Sequence, residues 1–158
     1  MSKHVEIWYL IADGAHARIV RRDAETGGYH QVSRSESRLA RLKTSQIVSD
    51  RAGRVGESAS SARHAAEAKH DPHRQAKLAF AHKTAADINE ASRAAEFDEL
   101  VLVAPARVLG EIRGHLDTQA SKRVVGELAK DLTPVPDGDL GKHLDTLAHR
   151  IERGLAAR

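Results

Sequence analysis

Short apolar segments separated by turn residues fill the N-terminal part of the chain. Residues 5–12 (VEIWYLIA) form a β-branched and aromatic run, which is typical of a largely buried strand. Asp13-Gly14 follows as a turn, apolar and polar residues alternate over 16–22, and a third short segment occupies 29–33. The pattern predicts a meander of three antiparallel strands.

Helical and strand patterns alternate through the second half of the chain. Asp71 can accept hydrogen bonds from first-turn amides and Pro72 suits the first helical position, so we expect a helix to about Glu96. The pattern further predicts a strand over 98–104, a helix from Pro105, a strand over 122–128 and a last helix capped by Asp137.

The order of these elements, β-β-β-loop-α-β-α-β-α, determines the expected fold class. An antiparallel meander followed by a βαβα unit predicts an α/β fold with a mixed β-sheet and helices on its faces. We expect the strands over 5–12 and 98–104 to be central, because both read as continuous apolar runs.

Length and composition fit one domain over residues 1–158. The 158 residues are 41% apolar and 30% charged, as in an ordinary globular domain. Cysteine is absent, which excludes disulfides, thiolate zinc sites, iron–sulfur clusters and a cysteine nucleophile.

Aromatic residues make up only 3% of the chain, so stacking platforms for unpaired bases are scarce and Tyr29 is the aromatic residue expected to be free. No apolar stretch approaches the ~20 residues of a membrane span, and the N-terminus lacks the pattern of an export signal. We therefore expect a cytoplasmic protein that does not enter a membrane.

The positive charge is concentrated in one stretch. The formal net charge is +3, and residues 34–77 hold ten basic and five acidic side chains. Residues 44–70 are also poor in large apolar side chains, which predicts a long basic loop. Such a loop is either a solvated surface segment or a binding site for phosphates, and a sequence pI near 9.4 permits the second interpretation.

Asp13 is the basis of a metal-dependent nuclease hypothesis. Asp13 ends the first predicted strand, where nucleases of ribonuclease-H-like folds carry a metal-binding carboxylate. Two-metal chemistry needs several converging carboxylates, and the spacing of Asp98 and Glu111 does not force convergence. Asp13 is therefore better explained as part of the Asp-Gly turn.

The histidines and serines near the basic loop predict no catalytic or metal site. His70 and His73 lack the four-residue helical spacing that presents two imidazoles to one ion, so these residues and His64 are expected to be solvated. Ser58 and its neighbours lack the strand-turn-helix signature of a nucleophile. We predict no catalytic residue and no cofactor.

The segment 53–59 (GRVGESA) resembles the Gly-Arg-Gly-Gly-Gln-Ser-Ala loop of archaeal and eukaryotic class-1 release factors. The matching positions are Gly53, Arg54, Gly56, Ser58 and Ala59. Val55 replaces the first glycine of the catalytic triplet and Glu57 replaces its glutamine. A β-branched Val resists the backbone geometry that glycine allows, and a carboxylate repels a developing oxyanion, so the resemblance implies a degenerate, non-catalytic loop.

A second resemblance covers nearly the full length. The chain is similar to the bacterial family named as host attachment proteins in the segments 8–18 (WYLIADGAHAR), 49–54 (SDRAGR), 102–105 (LVAP), 109–113 (LGEIR), 128–132 (LAKDL) and 139–144. It implies a single unit like the middle domain of release factors, which has a ribonuclease-H-like arrangement, with no established catalytic residues to carry over.

Together these observations favour a non-catalytic protein that binds structured RNA or the translation apparatus, including the ribosome. The predicted RNA-binding residues are Arg51, Arg54, Arg63, Lys69 and Arg74. One alternative is a host-attachment factor that contacts a protein or glycan partner. A metal-dependent nuclease that uses Asp13 is the less favoured alternative.

Overall fold

The computed structural model describes residues 4–42 and 71–158. Five strands form one sheet: β1 (Ile7–Ala12), β2 (His16–Arg22), β3 (Tyr29–Glu36), β4 (Glu99–Val103) and β5 (Val124–Leu128). The helices are α1 (Arg38–Arg41), α2 (Pro72–Arg93), α3 (Ala106–His115), α4 (Thr118–Lys122) and α5 (Gly141–Ala156), and a 3₁₀ turn (Asp137–Asp139) precedes α5.

The strand order is β3-β2-β1-β4-β5. β1, β2 and β3 pair antiparallel, whereas β1, β4 and β5 pair parallel. The expected α/β fold, a mixed sheet with central β1 and β4, is therefore confirmed. These two strands are central because their side chains are apolar on both faces, which only a doubly covered strand can bury.

The central pair joins distant parts of the chain. Ile7 is aligned with Glu99 and Ile11 with Val103. Just before both strands, the Glu6 amide donates to the Asp98 carboxylate at 2.9 Å, across 92 residues of sequence. This bond fixes the register at the amino end of the pair.

On the first face of the sheet, α2 and α3 cover an apolar layer. Alternate residues of β1 and β4, such as Leu10 and Leu102, contact a helical stripe that includes Phe80, Ile88 and Ile112, and all are at most 5% exposed. The three- and four-residue spacing in α2 places its apolar residues on one side.

On the second face, α5 covers the intervening residues of the same strands. Tyr9 and Val101 contact Leu144 and Ile151 there. A Cβ atom on Gly126 would lie 2.9 Å from Cδ1 of Ile151, so glycine lets the Ile151 side chain of α5 pack closely on β5.

Several predicted boundaries need correction. β1 begins at Ile7 because Val5 is 37% exposed, and β3 extends to Glu36. Asp71 caps α2 as predicted and accepts from the His73 amide at 3.0 Å. The two short helices α1 and α4 were not predicted, and they begin at capping side chains of Ser37 and Asp117.

Asp137 does not cap α5, contrary to the prediction. It begins the 3₁₀ turn, and its carboxylate accepts from Nη1 of Arg18 at 2.9 Å. Because this turn runs directly into α5, the helix begins without a side-chain cap. No helix within the described ranges is both long and apolar enough to cross a bilayer.

Candidate nucleic-acid interface

A cleft of about 600 Å³ lies where the carboxyl ends of β1 and β4 reach the same edge of the sheet. Ligands of open α/β sheets bind at such an edge, because the loops that follow parallel strands meet there. The cleft is lined by the turn after β1, the first two turns of α2, the start of α3 and Asp131.

Asp13 organises the turn after β1. Its Oδ1 accepts from the amides of Ala15 at 2.7 Å and His16 at 2.6 Å, and it lies 3.1 Å from His16 Nδ1. Burial raises the pKa of Asp13, but these hydrogen bonds outweigh burial and hold the pKa below its usual value. The carboxylate is thus an ionised structural acceptor.

A second cleft of about 410 Å³ adjoins the first, since Asp13 and Asp131 line both. Thr133 links these two carboxylates: its hydroxyl lies 3.1 Å from Asp13 Oδ2 and 2.5 Å from Asp131 Oδ1. Arg34 of β3 lines the far side of the second cleft. The two clefts therefore form one continuous recessed edge.

The ends of the segment 43–70 are held together beside the first cleft. Nε2 of His73, in the first turn of α2, lies 2.8 Å from the carbonyl oxygen of Ala40 in α1. The Ser37 amide donates to the Ala15 carbonyl at 2.7 Å, which attaches the start of α1 to the turn after β1. The chain therefore leaves α1 and enters α2 at neighbouring points of the same edge.

Lys77 packs across the turn after β1. A Cβ atom on Gly14 would lie 2.7 Å from both Cγ and Cδ of Lys77, so glycine leaves the space that the lysine stem occupies. The aliphatic stem is thereby supported by backbone while its ammonium group extends toward solvent.

We refer to six exposed cations as the rim cations. Arg34, Arg74, Lys77 and Arg107 line the two clefts, and Arg38 and Arg41 belong to α1, whose Ala40 lines the first cleft. Arg41 pairs with Glu36 at 2.8 Å. The other five form no ion pair with any residue in the described ranges.

Acidic side chains line the first cleft as well. They are Asp13, Asp71, Glu111 and Asp131, and each carboxylate has a hydrogen-bond donor nearby within the fold. An anion is thus repelled by these carboxylates and attracted to the exposed rim cations.

A family model described as "Protein required for attachment to host cells" matches residues 8–144. The chain belongs to this family. The family membership expected from the sequence is thus confirmed. No curated protein matches the chain.

Among solved structures, this host-attachment-family chain is similar to the archaeal translation termination factor aRF1. The identity is 10% and the TM-score 0.46, with 96% of this chain and 41% of the factor's chain covered. The chain therefore spans less than half the length of that protein.

Of the predicted RNA-binding residues, Arg74 lines the first cleft of the host-attachment-family chain and is exposed. The others, Arg51, Arg54, Arg63 and Lys69, lie outside the described residues, as do most of the predicted loop at 44–70, His64 and His70. The release-factor-like positions Gly53, Arg54, Val55, Gly56, Glu57 and Ser58 also lie there. These predictions remain untested.

Arg107 is a rim cation that the sequence analysis missed. It lies in the C-terminal part of the chain, residues 78–158, whose net charge is −2, and not in the basic stretch 34–77. The available signal was its position directly after β4 and Pro105, because the carboxyl ends of adjacent parallel strands lie at one edge.

Of the acidic residues considered for nuclease chemistry, Glu111 lines the first cleft together with Asp13, but Asp98 does not. Asp13 follows β1 and Asp98 precedes β4, so these two carboxylates lie at opposite ends of a parallel pair, separated by roughly 23 Å along the strands. Within the described ranges Asp13 belongs to no group of three metal-ligating side chains; the group found there is His82, Glu111 and His115.

Two predictions about exposed aromatic rings were wrong. His73 is partly buried and hydrogen-bonded to α1 rather than solvated. Tyr29 is only 4% exposed and cannot stack on a base, because α5 covers it. Its hydroxyl donates to Asp145 Oδ1 at 2.9 Å, and burial together with this bond raises the pKa of Tyr29.

Proposed function

We propose that this host-attachment-family protein is a non-catalytic RNA-binding domain that holds structured RNA by its phosphates. The observation that carries the proposal is the ring of rim cations around the two ends of the segment 43–70. In the sequence, that segment carries five basic residues and three acidic ones.

The geometry favours contact with the backbone of a folded RNA over insertion of bases. The rim cations are exposed, and all but Arg41 form no ion pair with a described residue, while carboxylates that repel phosphates also line the first cleft. Trp8, Tyr9, Tyr29, Phe80 and Phe97 are all buried, so no described aromatic ring of these types is available for stacking. We therefore expect weak sequence preference.

Filter binding of transfer RNA at increasing KCl concentration tests the proposal. If three or four cations contact phosphates, log K falls against log salt with a slope of about −2 to −4. The variant Arg74→Glu plus Arg107→Glu should bind more weakly and flatten the slope, and Arg54→Glu plus Arg63→Glu tests the segment itself in the same way.

The matched control is Arg150→Glu plus Arg153→Glu, which changes the net charge equally. Both control residues are exposed on α5, which covers the other face of the sheet. Binding that is equally weak in the control, or no retention of RNA by the unmodified chain at low salt, would refute the proposal.

We also propose that the protein lacks the hydrolytic activity of the release-factor loop. Val55 and Glu57 stand where glycine and glutamine occur in that loop, so peptidyl-tRNA hydrolysis should not exceed the uncatalysed background. Hydrolysis by the unmodified chain, lost in Glu57→Gln, would contradict this and assign Glu57 a catalytic role.

The family description supports a second candidate function, contact with a protein or glycan partner during attachment. Cell fractionation separates the two candidates. Sedimentation with ribosomes that is reversed by high salt supports RNA binding in the cytoplasm, whereas recovery outside the cell supports the attachment role.

A further inference from the structure

Three side chains with metal-ligating atoms meet where α2 packs on α3, on the first face of the sheet. His82 belongs to α2, and Glu111 and His115 belong to α3. Nε2 of His82 lies 3.1 Å from Glu111 Oε2, and the rings of His82 and His115 stack with centroids 3.6 Å apart. One ligand atom from each residue lies within 4.8 Å of the others.

Helix geometry and core packing bring these side chains together. Glu111 and His115 are four residues apart on α3 and therefore project from the same side of the helix. Neighbouring residues Ala81 and Ile112 are buried in the first-face core, which fixes the two backbones. The side chains of His82 and Glu111 remain 42% and 37% exposed, so an ion can reach them from solvent.

The ligand types favour zinc among the common divalent cations. Two imidazoles and one carboxylate form a set that binds Zn²⁺ in proteins, whereas Mg²⁺ and Ca²⁺ prefer oxygen ligands throughout. Ligands at 2.0–2.1 Å in a tetrahedron lie about 3.3 Å apart, so the separations here, which are all within 4.8 Å, need to close by at most about 1.5 Å. Rotation of exposed side chains supplies a movement of that size.

One ligand is already oriented by a supporting hydrogen bond. Nδ1 of His115 lies 2.9 Å from the carbonyl oxygen of Glu111, and because a carbonyl only accepts, Nδ1 is the donor. The neutral ring then carries its free lone pair on Nε2, the nitrogen left for a metal. Such a second hydrogen bond to the backbone is usual for metal-binding histidines.

We propose that His82, Glu111 and His115 form a Zn²⁺ site that joins α2 to α3. Three protein ligands leave a fourth position of the tetrahedron to water or another donor. Glu111 also lines the first cleft, so the ion would bind at its edge. The proposal does not depend on RNA binding.

Calorimetric titration of untagged, chelator-treated protein with ZnCl₂ tests the site. We expect one zinc ion per chain and, at a hundredfold excess of free zinc over Kd, a rise in Tm of about 5–10 °C that Mg²⁺ does not reproduce. His82→Ala, His115→Ala and Glu111→Gln should each weaken binding at least about tenfold, since even loss of a supporting hydrogen bond costs that much.

The control is His143→Ala, which removes an exposed histidine on α5 and should bind zinc as the unmodified chain does. Glu111→Gln keeps the side-chain volume, so it separates loss of a ligand from loss of folding. The Co²⁺-loaded protein gives a second measurement, because its visible spectrum should indicate tetrahedral coordination that Glu111→Gln abolishes. Zinc affinity that is unchanged in all three ligand variants, or the absence of stoichiometric binding, overturns the proposal.

Discussion

The two faces of the sheet are built from the same strands but are held to their helices differently. On the first face, Leu10, Leu100 and Leu102 contact α2 and α3 through apolar side chains alone. On the second face, Arg18 and Arg22 of β2 reach the segment before α5 and α5 itself through hydrogen bonds. Apolar contact stabilises both faces, and on the second face polar bonds from β2 are added to it.

Both faces bury a polar atom without a hydrogen-bond partner in the described ranges, and on the first face it is Oγ of Ser92 in α2, which is 0% exposed. Within the described ranges, the hydroxyl of Tyr9 is buried without a hydrogen-bond partner. Burial and the nearby Glu152 raise the pKa of Tyr9 to about 12. A buried polar atom without a partner loses its hydration without gaining a hydrogen bond, so each of these two hydroxyls lowers the stability of its face.

The largest effect should come from the first face. Leu102→Ala leaves a cavity at a position that is 1% exposed, and it should lower the free energy of unfolding by about 2–5 kcal/mol. Urea denaturation measures the loss, and Leu39→Ala is the control because Leu39 is 51% exposed. Equal costs for the two variants would show that β4 does not belong to the core.

A smaller but still large effect is expected from the main polar bond of the second face. Arg18 is 13% exposed and donates to the carbonyls of Leu132 and Val135 and to Asp137. Arg18→Met should cost about 2–3 kcal/mol in urea denaturation, since it leaves these acceptors without their donor. Arg21→Met is the control on the same strand, and its 60% exposed side chain should contribute less than about 1 kcal/mol.

The stability that Asp13 contributes in the turn after β1 should depend on pH. The folded-state pKa of Asp13 lies below the ordinary value of 3.8, so its contribution is present above that pH and is lost as the pH falls through the folded pKa. Asp13→Asn should cost about 1–2 kcal/mol near pH 7, and this difference should shrink below about pH 4. A difference that stays constant down to pH 2 would contradict the assignment.

The smallest expected effects come from replacing two neighbouring tyrosines by phenylalanine. The change in the free energy of unfolding should have opposite signs at the two positions. Tyr9 and Tyr29 meet edge to face with centroids 5.7 Å apart. Tyr29→Phe removes a bond to Asp145 and should destabilise by about 1 kcal/mol, whereas Tyr9→Phe removes an unpartnered hydroxyl and should stabilise by about 1 kcal/mol. Thermal denaturation of both variants measures the signs, and destabilisation by both would show that Tyr9 has a partner.

Local patterns were sufficient to predict the first face and much of the sheet. The continuous apolar runs in β1 and β4, and the Asp-Pro start of α2, depend on neighbouring residues and periodicity alone. The Asp13 turn is equally local, since its acceptor bonds reach only Ala15 and His16.

The second face and the edge clefts depend on partners far away in sequence. The local sequence predicts that Asp137 caps a helix, because its actual partner, Arg18, lies 119 residues earlier. The local sequence predicts an exposed Tyr29, because its hydrogen-bond partner, Asp145, lies 116 residues later. Likewise His82 and Glu111 meet only because α2 packs on α3, so spacing within one helix could not reveal the cluster.

The long separation between β1 and β4 has a consequence for how the molecule folds. The β1–β2 pairing closes a short hairpin, whereas the β1–β4 pairing brings together residues that lie 92 positions apart where Glu6 meets Asp98. Folding slows as contacting residues become more separated in sequence, because chain entropy is lost before the contact forms. We therefore expect the pairing of β1 with β4, the most buried strands, to form later in folding than the β1–β2 hairpin.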